Sequence, residues 1–255
     1  MSIPDNTTPI LEGILLIDKP EGPTSMRAVE RVRRAAGGVR CGHAGTLDPL
    51  ATGLLVIALG RFTRTLAELM GGDKRYETVI DLSAFTATDD REGALITVPV
   101  ERPPTESKIE TALEAFRGSI MQTPPAFSAV KIEGRRSYDI ARRAAKQSAA
   151  SGDNSDSQDA ESAPIAPPAG PTSRPAQVHA LALRKFEWPL VTLDIHCAKG
   201  FYVRSLARDL GRALGTGGHC QSIRRTWSAP FSIEHAIPLD SLPLRLSLSD
   251  LTRVP

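Results

Sequence analysis

The 255-residue chain reads as an α+β protein, and three patterns predict it. Leu54-Leu55-Val56-Ile57-Ala58-Leu59 is an unbroken apolar run of strand length. Val191, Leu193, Ile195 and Cys197 alternate with polar neighbours, as in a half-buried strand. Ile109, Ala112, Leu113 and Phe116, and again Val203, Leu206, Ala207 and Leu210, recur at helical spacing. Strand and helix signals are mixed without strict alternation, which favours α+β.

In order along the chain, residues 1–12 read as a flexible tail, and Gly13 to Ile17 as a short strand ended by Asp18-Lys19-Pro20-Glu21-Gly22-Pro23. Thr24 or Ser25 can cap a helix running to about Ala36, which Gly37-Gly38 stops. Gly42, Gly45, Pro49 and Gly53 disfavour regular structure before the apolar run. Arg61 to Met70 looks helical, and Tyr76 to Leu82 and Ala94 to Val98 read as strands. Thr105 can cap a helix closed by Gly118. The helix from Val203 ends near Gly215. Residues from about 146 to 176 are rich in Ser, Ala, Pro, Asp and Gly and nearly free of large apolar side chains. Such a stretch cannot offset its ordering entropy by burial, so it is expected to be a disordered insertion within one domain spanning 13–255.

No apolar stretch approaches the roughly 20 residues of a membrane span, and Met1 to Glu12 lacks a signal sequence, so the expected location is cytoplasmic. Cys41, Cys197 and Cys220 are odd in number and widely spaced, which argues against a disulfide framework and against a zinc site. His196 and Cys197 are adjacent, so on a strand they point to opposite faces and cannot readily share a metal. No metal is expected. Net charge is only +2, but the acidic segment 147–173 holds Asp153, Asp156, Asp159 and Glu161 and no Lys or Arg. Without those four negative charges the rest carries +6. Basic residues cluster at Arg31-Arg33-Arg34-Arg40, Lys131-Arg135-Arg136-Arg142-Arg143 and Arg224-Arg225, a distribution suited to phosphate contacts.

The segment Arg40-Cys41-Gly42-His43-Ala44-Gly45-Thr46-Leu47-Asp48-Pro49-Leu50-Ala51-Thr52-Gly53 places a carboxylate in a contorted loop ahead of a rigid strand. A phosphate-binding loop is excluded because no Gly-Lys-Ser/Thr ending occurs and the loop precedes the strand. A serine-hydrolase elbow, Gly-x-Ser-x-Gly, is absent. A retaining glycosidase needs a second carboxylate close to the first; Asp18, Asp73, Asp81 and Asp90 are candidates that sequence alone cannot place.

Gly42-His43-Ala44-Gly45-Thr46-Leu47-Asp48-Pro49-x-Ala51-x-Gly53-x-Leu55 closely resembles the signature of the TruB family of tRNA pseudouridine synthases. Four further segments resemble family motifs in the family's order: Asp73-Lys74-Arg75-Tyr76, the proline-led stretch Pro124 to Arg142 of its RNA-gripping thumb, Lys199 to Gly211, and Ile223-Arg224-Arg225. The resemblance implies a pseudouridine synthase catalytic domain, with a central mixed or antiparallel sheet, flanking helices and an active-site cleft. It implies isomerisation of uridine to pseudouridine at T-arm position 55 of tRNA, without a cofactor, by a monomer that needs no protein partner. Asp48 matches the essential carboxylate and Arg204 the arginine that pairs with it; Tyr76 and Tyr202 match active-site tyrosines. His43 matches a histidine that occupies space left by flipped nucleotides, and Ile223 stands where a pocket-lining leucine is usual. Lys19, Arg64 and Lys131 are candidate phosphate contacts.

Three departures stand out. Phe85-Thr86-Ala87-Thr88 replaces the Arg-Thr-Asp-Thr of many relatives, although Asp90 is retained. The low-complexity insertion follows the thumb segment. The tail after Ser247 is too short for the PUA-type RNA-binding domain of longer relatives, so no such domain is expected. Two alternatives stay open: a synthase acting on another RNA, and a non-catalytic tRNA-binding or folding factor.

Overall fold

The computed structural model describes residues 11–126, 131–132, 135–136 and 172–252. Its centre is a mixed sheet built from β1 (Gly13–Lys19), β2 (Cys41–His43), β3 (Thr52–Leu59), β4 (Lys74–Asp81), β7 (Gly118–Gln122), β10 (Arg174–Glu187), β11 (Leu190–Cys197), β12 (His219–Ser228), β13 (Phe231–Ser232) and β14 (Ile237–Pro238). The order is β14-β1-β3-β12-β4-β11-β10-β7, with β2 added to β3 and β13 to β12. β1 and β3 pair antiparallel, as do the strands from β12 through β7, whereas β3 and β12 run parallel. β5 (Ala84–Thr86) and β6 (Leu95–Thr97) form a separate hairpin, and so do β8 (Lys131–Ile132) and β9 (Arg135–Arg136). The expected mixed α+β architecture is what the chain adopts.

Helices α1 (Ser25–Ala35), α3 (Glu106–Glu114) and α4 (Val203–Leu214) pack one face through Ala28, Val32, Ile109, Leu113, Leu206 and Leu210. The short α2 (Leu66–Gly71) covers the other face over β1 and β3 through Leu66 and Leu69. β3 is therefore buried on both sides, which is why its sequence is continuously apolar. β11 faces solvent on one side and alternates. Thr24 caps α1 by accepting from the Arg27 N–H, Thr105 caps α3 by accepting from the Lys108 N–H, and Gly215 at φ 69° ends α4.

Several boundaries differ from the sequence expectation. Leu11 is buried in the core and Glu12 pairs with Arg61, so the last two residues of the expected tail belong to the domain. Cys41–His43 is a strand despite its glycine, because β3 offers it an open edge. Residues 60–65 form a 3-10 helix ahead of α2, where one continuous helix was expected. The end of the expected insertion, Arg174 to Ala176, is already strand, with Ala176 paired to Ile120 and buried. The remainder of the insertion and most of the thumb segment lie outside the described residues.

Candidate active site

β3 exchanges neighbours along its length: Thr52 and Gly53 pair with Arg224 and Arg225 of β12, while Ile57 to Leu59 pair with β2. The chain leaving β2 must double back to reach the start of β3, and that return loop, residues 44–51, carries Asp48 to the crevice where the two neighbours diverge. Gly53 makes the approach possible. Its φ is +98°, and a Cβ there would sit 2.3 Å from the Arg225 carbonyl oxygen.

Asp48 lies in a cleft of about 300 Å3 that Tyr76, Tyr202, Arg204, Ile223 and Lys199 also line. Arg204, in the first turn of α4, donates to Asp48 Oδ2 over 2.9 Å. On its far side the same guanidinium donates to the Thr88 carbonyl at 2.9 Å and to Asp90 Oδ2 at 3.3 Å. Arg204 is 6% exposed whereas the Asp48 side chain is 40% exposed, so the carboxylate is held from below and open from above. Asp90 is itself fixed, accepting from the Thr88 hydroxyl and the Glu92 N–H. Tyr202, at the N-cap of α4, is clamped by Gln122, whose amide accepts from the Tyr202 N–H at 2.8 Å and donates to its carbonyl at 3.0 Å.

Burial raises the phenol pKa of both tyrosines; for Tyr76 the Arg225 guanidinium opposes this in part. Both therefore present neutral hydroxyls near neutral pH. Burial also pushes Cys41 up to about 11 and Cys197 and Cys220 to about 12, so no thiolate nucleophile is at hand.

The family models add a decisive comparison. The model described as TruB family pseudouridylate synthase (N terminal domain) matches residues 33–154, and that of the tRNA pseudouridylate synthase B C-terminal domain matches 204–249. The chain is 41% identical over 260 residues to tRNA pseudouridine synthase B of Cereibacter sphaeroides, covering 96% of this chain and 79% of that protein. The corresponding protein of Corynebacterium efficiens is 42% identical over 243 residues, covering 93% of this chain and 74% of its own. The chain belongs to the TruB family. Among solved structures, it resembles a chain of a Cbf5-Nop10-Gar1 complex with a TM-score of 0.64 and 28% identity, covering 89% of this chain and 52% of that one. An archaeal box H/ACA sRNP Nop10-Cbf5 complex gives a TM-score of 0.62 and 25% identity, covering 94% and 57%. The chain thus spans about half the length of those two chains.

Within this TruB-family chain, five of the nine residues singled out from sequence, Asp48, Tyr76, Tyr202, Arg204 and Ile223, come together in one cleft. His43 sits on β2 outside its lining, with Nδ1 buried and without a hydrogen bond among the described residues. Burial, then the Arg225 charge, lowers its pKa, leaving a neutral imidazole near pH 7. Arg64 is exposed on the 3-10 helix, away from the cleft. The Lys131 side chain lies outside the described residues.

Lys19 is a correction. It is fully buried and donates to the carbonyls of Pro20, Pro23 and Pro49, so it cannot reach a phosphate. Its bond to Pro49 instead braces the residue next to Asp48, and burial lowers its pKa to about 8 against the pull of Asp48.

The Arg224-Arg225 cluster also divides. Arg224 forms a two-point pair with Asp18, at 3.2 and 2.7 Å. Arg225 is 2% exposed and donates to the Leu54 and Gly45 carbonyls, holding both ends of the Asp48 loop. The sequence held a signal for this: Ile223 and Arg225 are two apart on a strand and share a face. For Asp90 it held none, since 114 residues separate it from Arg204. Of the four carboxylates considered as partners for Asp48, Asp90 alone is tied to it, through Arg204. Asp18 pairs with Arg224, Asp81 caps Ser83, and Asp73 lies beside His179.

Proposed function

We propose that this chain isomerises uridine to pseudouridine in tRNA, at position 55 of the T-arm, acting as a cytoplasmic monomer without a cofactor. The observation that carries the reading is the Asp48–Arg204 pair at the floor of a cleft flanked by two tyrosines. The reaction breaks the C1′–N1 bond and joins C1′ to C5; the C5 proton leaves and N1 gains one. No electrons are exchanged with an outside group, so the chemistry needs no redox partner.

An ionised carboxylate serves the sugar carbon either as nucleophile or as the counter-charge that eases departure of the base. Arg204 supports both by keeping Asp48 oriented toward the opening. Tyr76, with a neutral phenol, offers a stacking surface and a hydrogen-bond donor to the base, and Ile223 closes the apolar side. The uridine must leave its stack to reach Asp48, at about a few kcal/mol. Lys199, exposed at the rim, is placed for the backbone phosphates of the flipped strand.

The test is release of tritium from tRNA carrying 5-tritiated uridine. Asp48→Asn should lower kcat by at least about a thousand-fold while tRNA binding stays within a few-fold. Its fold should persist, because Arg204 retains Thr88 and Asp90. Turnover by the variant near the wild-type rate would sink the assignment.

A further inference from the structure

On the solvent face of the sheet, away from the cleft, three side chains from different strands converge. Asp73 immediately precedes β4, His179 lies on β10 and His196 on β11. Asp73 Oδ2 is 3.2 Å from His179 Nε2 and 3.8 Å from His196 Nε2, and all three ligand atoms lie within 4.8 Å of one another. None of the three lines the Asp48 cleft.

We propose that Asp73, His179 and His196 form a binding site for a zinc ion, with a fourth coordination position open to solvent, which pins β4, β10 and β11 together.

Three observations carry this. The first is spacing. A tetrahedral zinc with ligand bonds of about 2.0–2.1 Å sets neighbouring ligand atoms about 3.3 Å apart. Both carboxylate–imidazole separations lie within about half an ångström of that, and a rotamer adjustment of the exposed His179 closes the third.

The second is an orphan. His196 Nε2 is buried and makes no hydrogen bond among the described residues, although its ring is held by an edge-on contact with Trp227 at 5.8 Å. A buried polar atom left this way is costly unless something occupies it, and a metal accepts the lone pair directly. The third is backbone geometry. His179 falls at a register shift between Val178 and Ala180, and such irregularities turn a side chain away from its regular direction.

Two imidazoles and a single carboxylate suit zinc, cobalt or nickel, not magnesium or calcium, which take oxygen-only sites. The sequence expectation of no metal rested on the unpaired spacing of the cysteines and on the opposed directions of His196 and Cys197. That geometry holds, but the partners come from neighbouring strands.

The experiment titrates Zn2+ into chelator-treated protein, with Mg2+ as control. Binding is read by calorimetry, melting temperature, and the visible absorption of Co2+ in the same site. One zinc per chain is expected. The melting temperature should rise by about 5–10 °C at a hundred-fold excess over Kd, with no rise in Mg2+. His179→Gln, at an exposed position, should keep the metal-free melting temperature and lose both the rise and the four-coordinate Co2+ spectrum; His196→Gln should lose them too. Absence of one-to-one binding, or binding that both variants retain, would overturn the proposal.

Discussion

Replacing Asp90 by Asn tests whether the grip on Arg204 from behind matters to Asp48 in front. The change is nearly isosteric. The Asn carbonyl can still accept from the Thr88 hydroxyl and the Glu92 N–H, so the Asp90 turn should survive. What is lost is the acceptor facing Arg204 Nη1 at 3.3 Å, where an amide NH2 now opposes a guanidinium N–H. Both side chains are almost fully buried, so water cannot repair the loss. A hydrogen bond to a charged group is worth about 1.5–3 kcal/mol, and about 2 kcal/mol corresponds to roughly thirty-fold in rate. Arg204 would keep its bonds to the Thr88 carbonyl and to Asp48, but its charged tether to the fixed side of the cleft would slacken. The expected result is a kcat reduced about ten- to a hundred-fold in tritium release, tRNA binding within a few-fold, and a melting temperature lower by about 4–10 °C. A lowered melting temperature with unchanged kcat would refute the reasoning, because Asp90 would then support the fold without positioning Arg204.

Lys19→Met should remove a pH dependence of stability. Its folded pKa of about 8 lies below the ordinary lysine value of 10.5, so the unfolded chain binds more protons between those values and wild-type stability rises with pH there. The burial penalty is fully present below about pH 8, and relief of about 3 kcal/mol is expected by about pH 10.5. Urea unfolding of wild type and variant at about pH 7 and about pH 10 measures it, and a stability difference that does not change with pH would contradict the account. Gly53→Ala should cost about 3 kcal/mol or more, combining a strained positive φ with displacement of the β12 backbone. Thermal melting should show a drop of about 6–12 °C; a drop under about 2 °C would mean that β12 yields easily.

The parts of the fold legible in the sequence were those with a local cause. β3 is apolar throughout because both its faces are covered, and α1 and α3 announce themselves by the caps Thr24 and Thr105. β12 was illegible for the opposite reason. Arg224 and Arg225 read as a basic cluster suited to phosphates, yet Arg225 is buried against two loop carbonyls, and His219 on the same strand is buried against the Ala84 carbonyl. Their partners lie far away in sequence, so the chain itself offered only the spacing of Ile223 and Arg225 as a hint of a shared buried face. β10 was hidden in part by the composition preceding it, since only pairing with β7 marks Arg174 as the start of a strand. The cleft residues were legible through motif order, but the bond from Arg204 to Asp90 was not.

The cleft depends on contacts that no single segment supplies. Asp48 stands on a loop whose ends are held by Arg225 from β12 and whose Pro49 carbonyl is held by Lys19 from β1. Its charge is met by Arg204 from α4, which is anchored in turn to the loop carrying Thr88 and Asp90. Four separate stretches must therefore be docked before the carboxylate is aimed at the opening. Lys199 and Arg64, the groups proposed to meet RNA phosphates, are exposed and need no such assembly. Chemistry should consequently fail before binding when the sheet is weakened, and the separation of kcat from tRNA affinity across the Asp90 and Gly53 variants is the measure of that order.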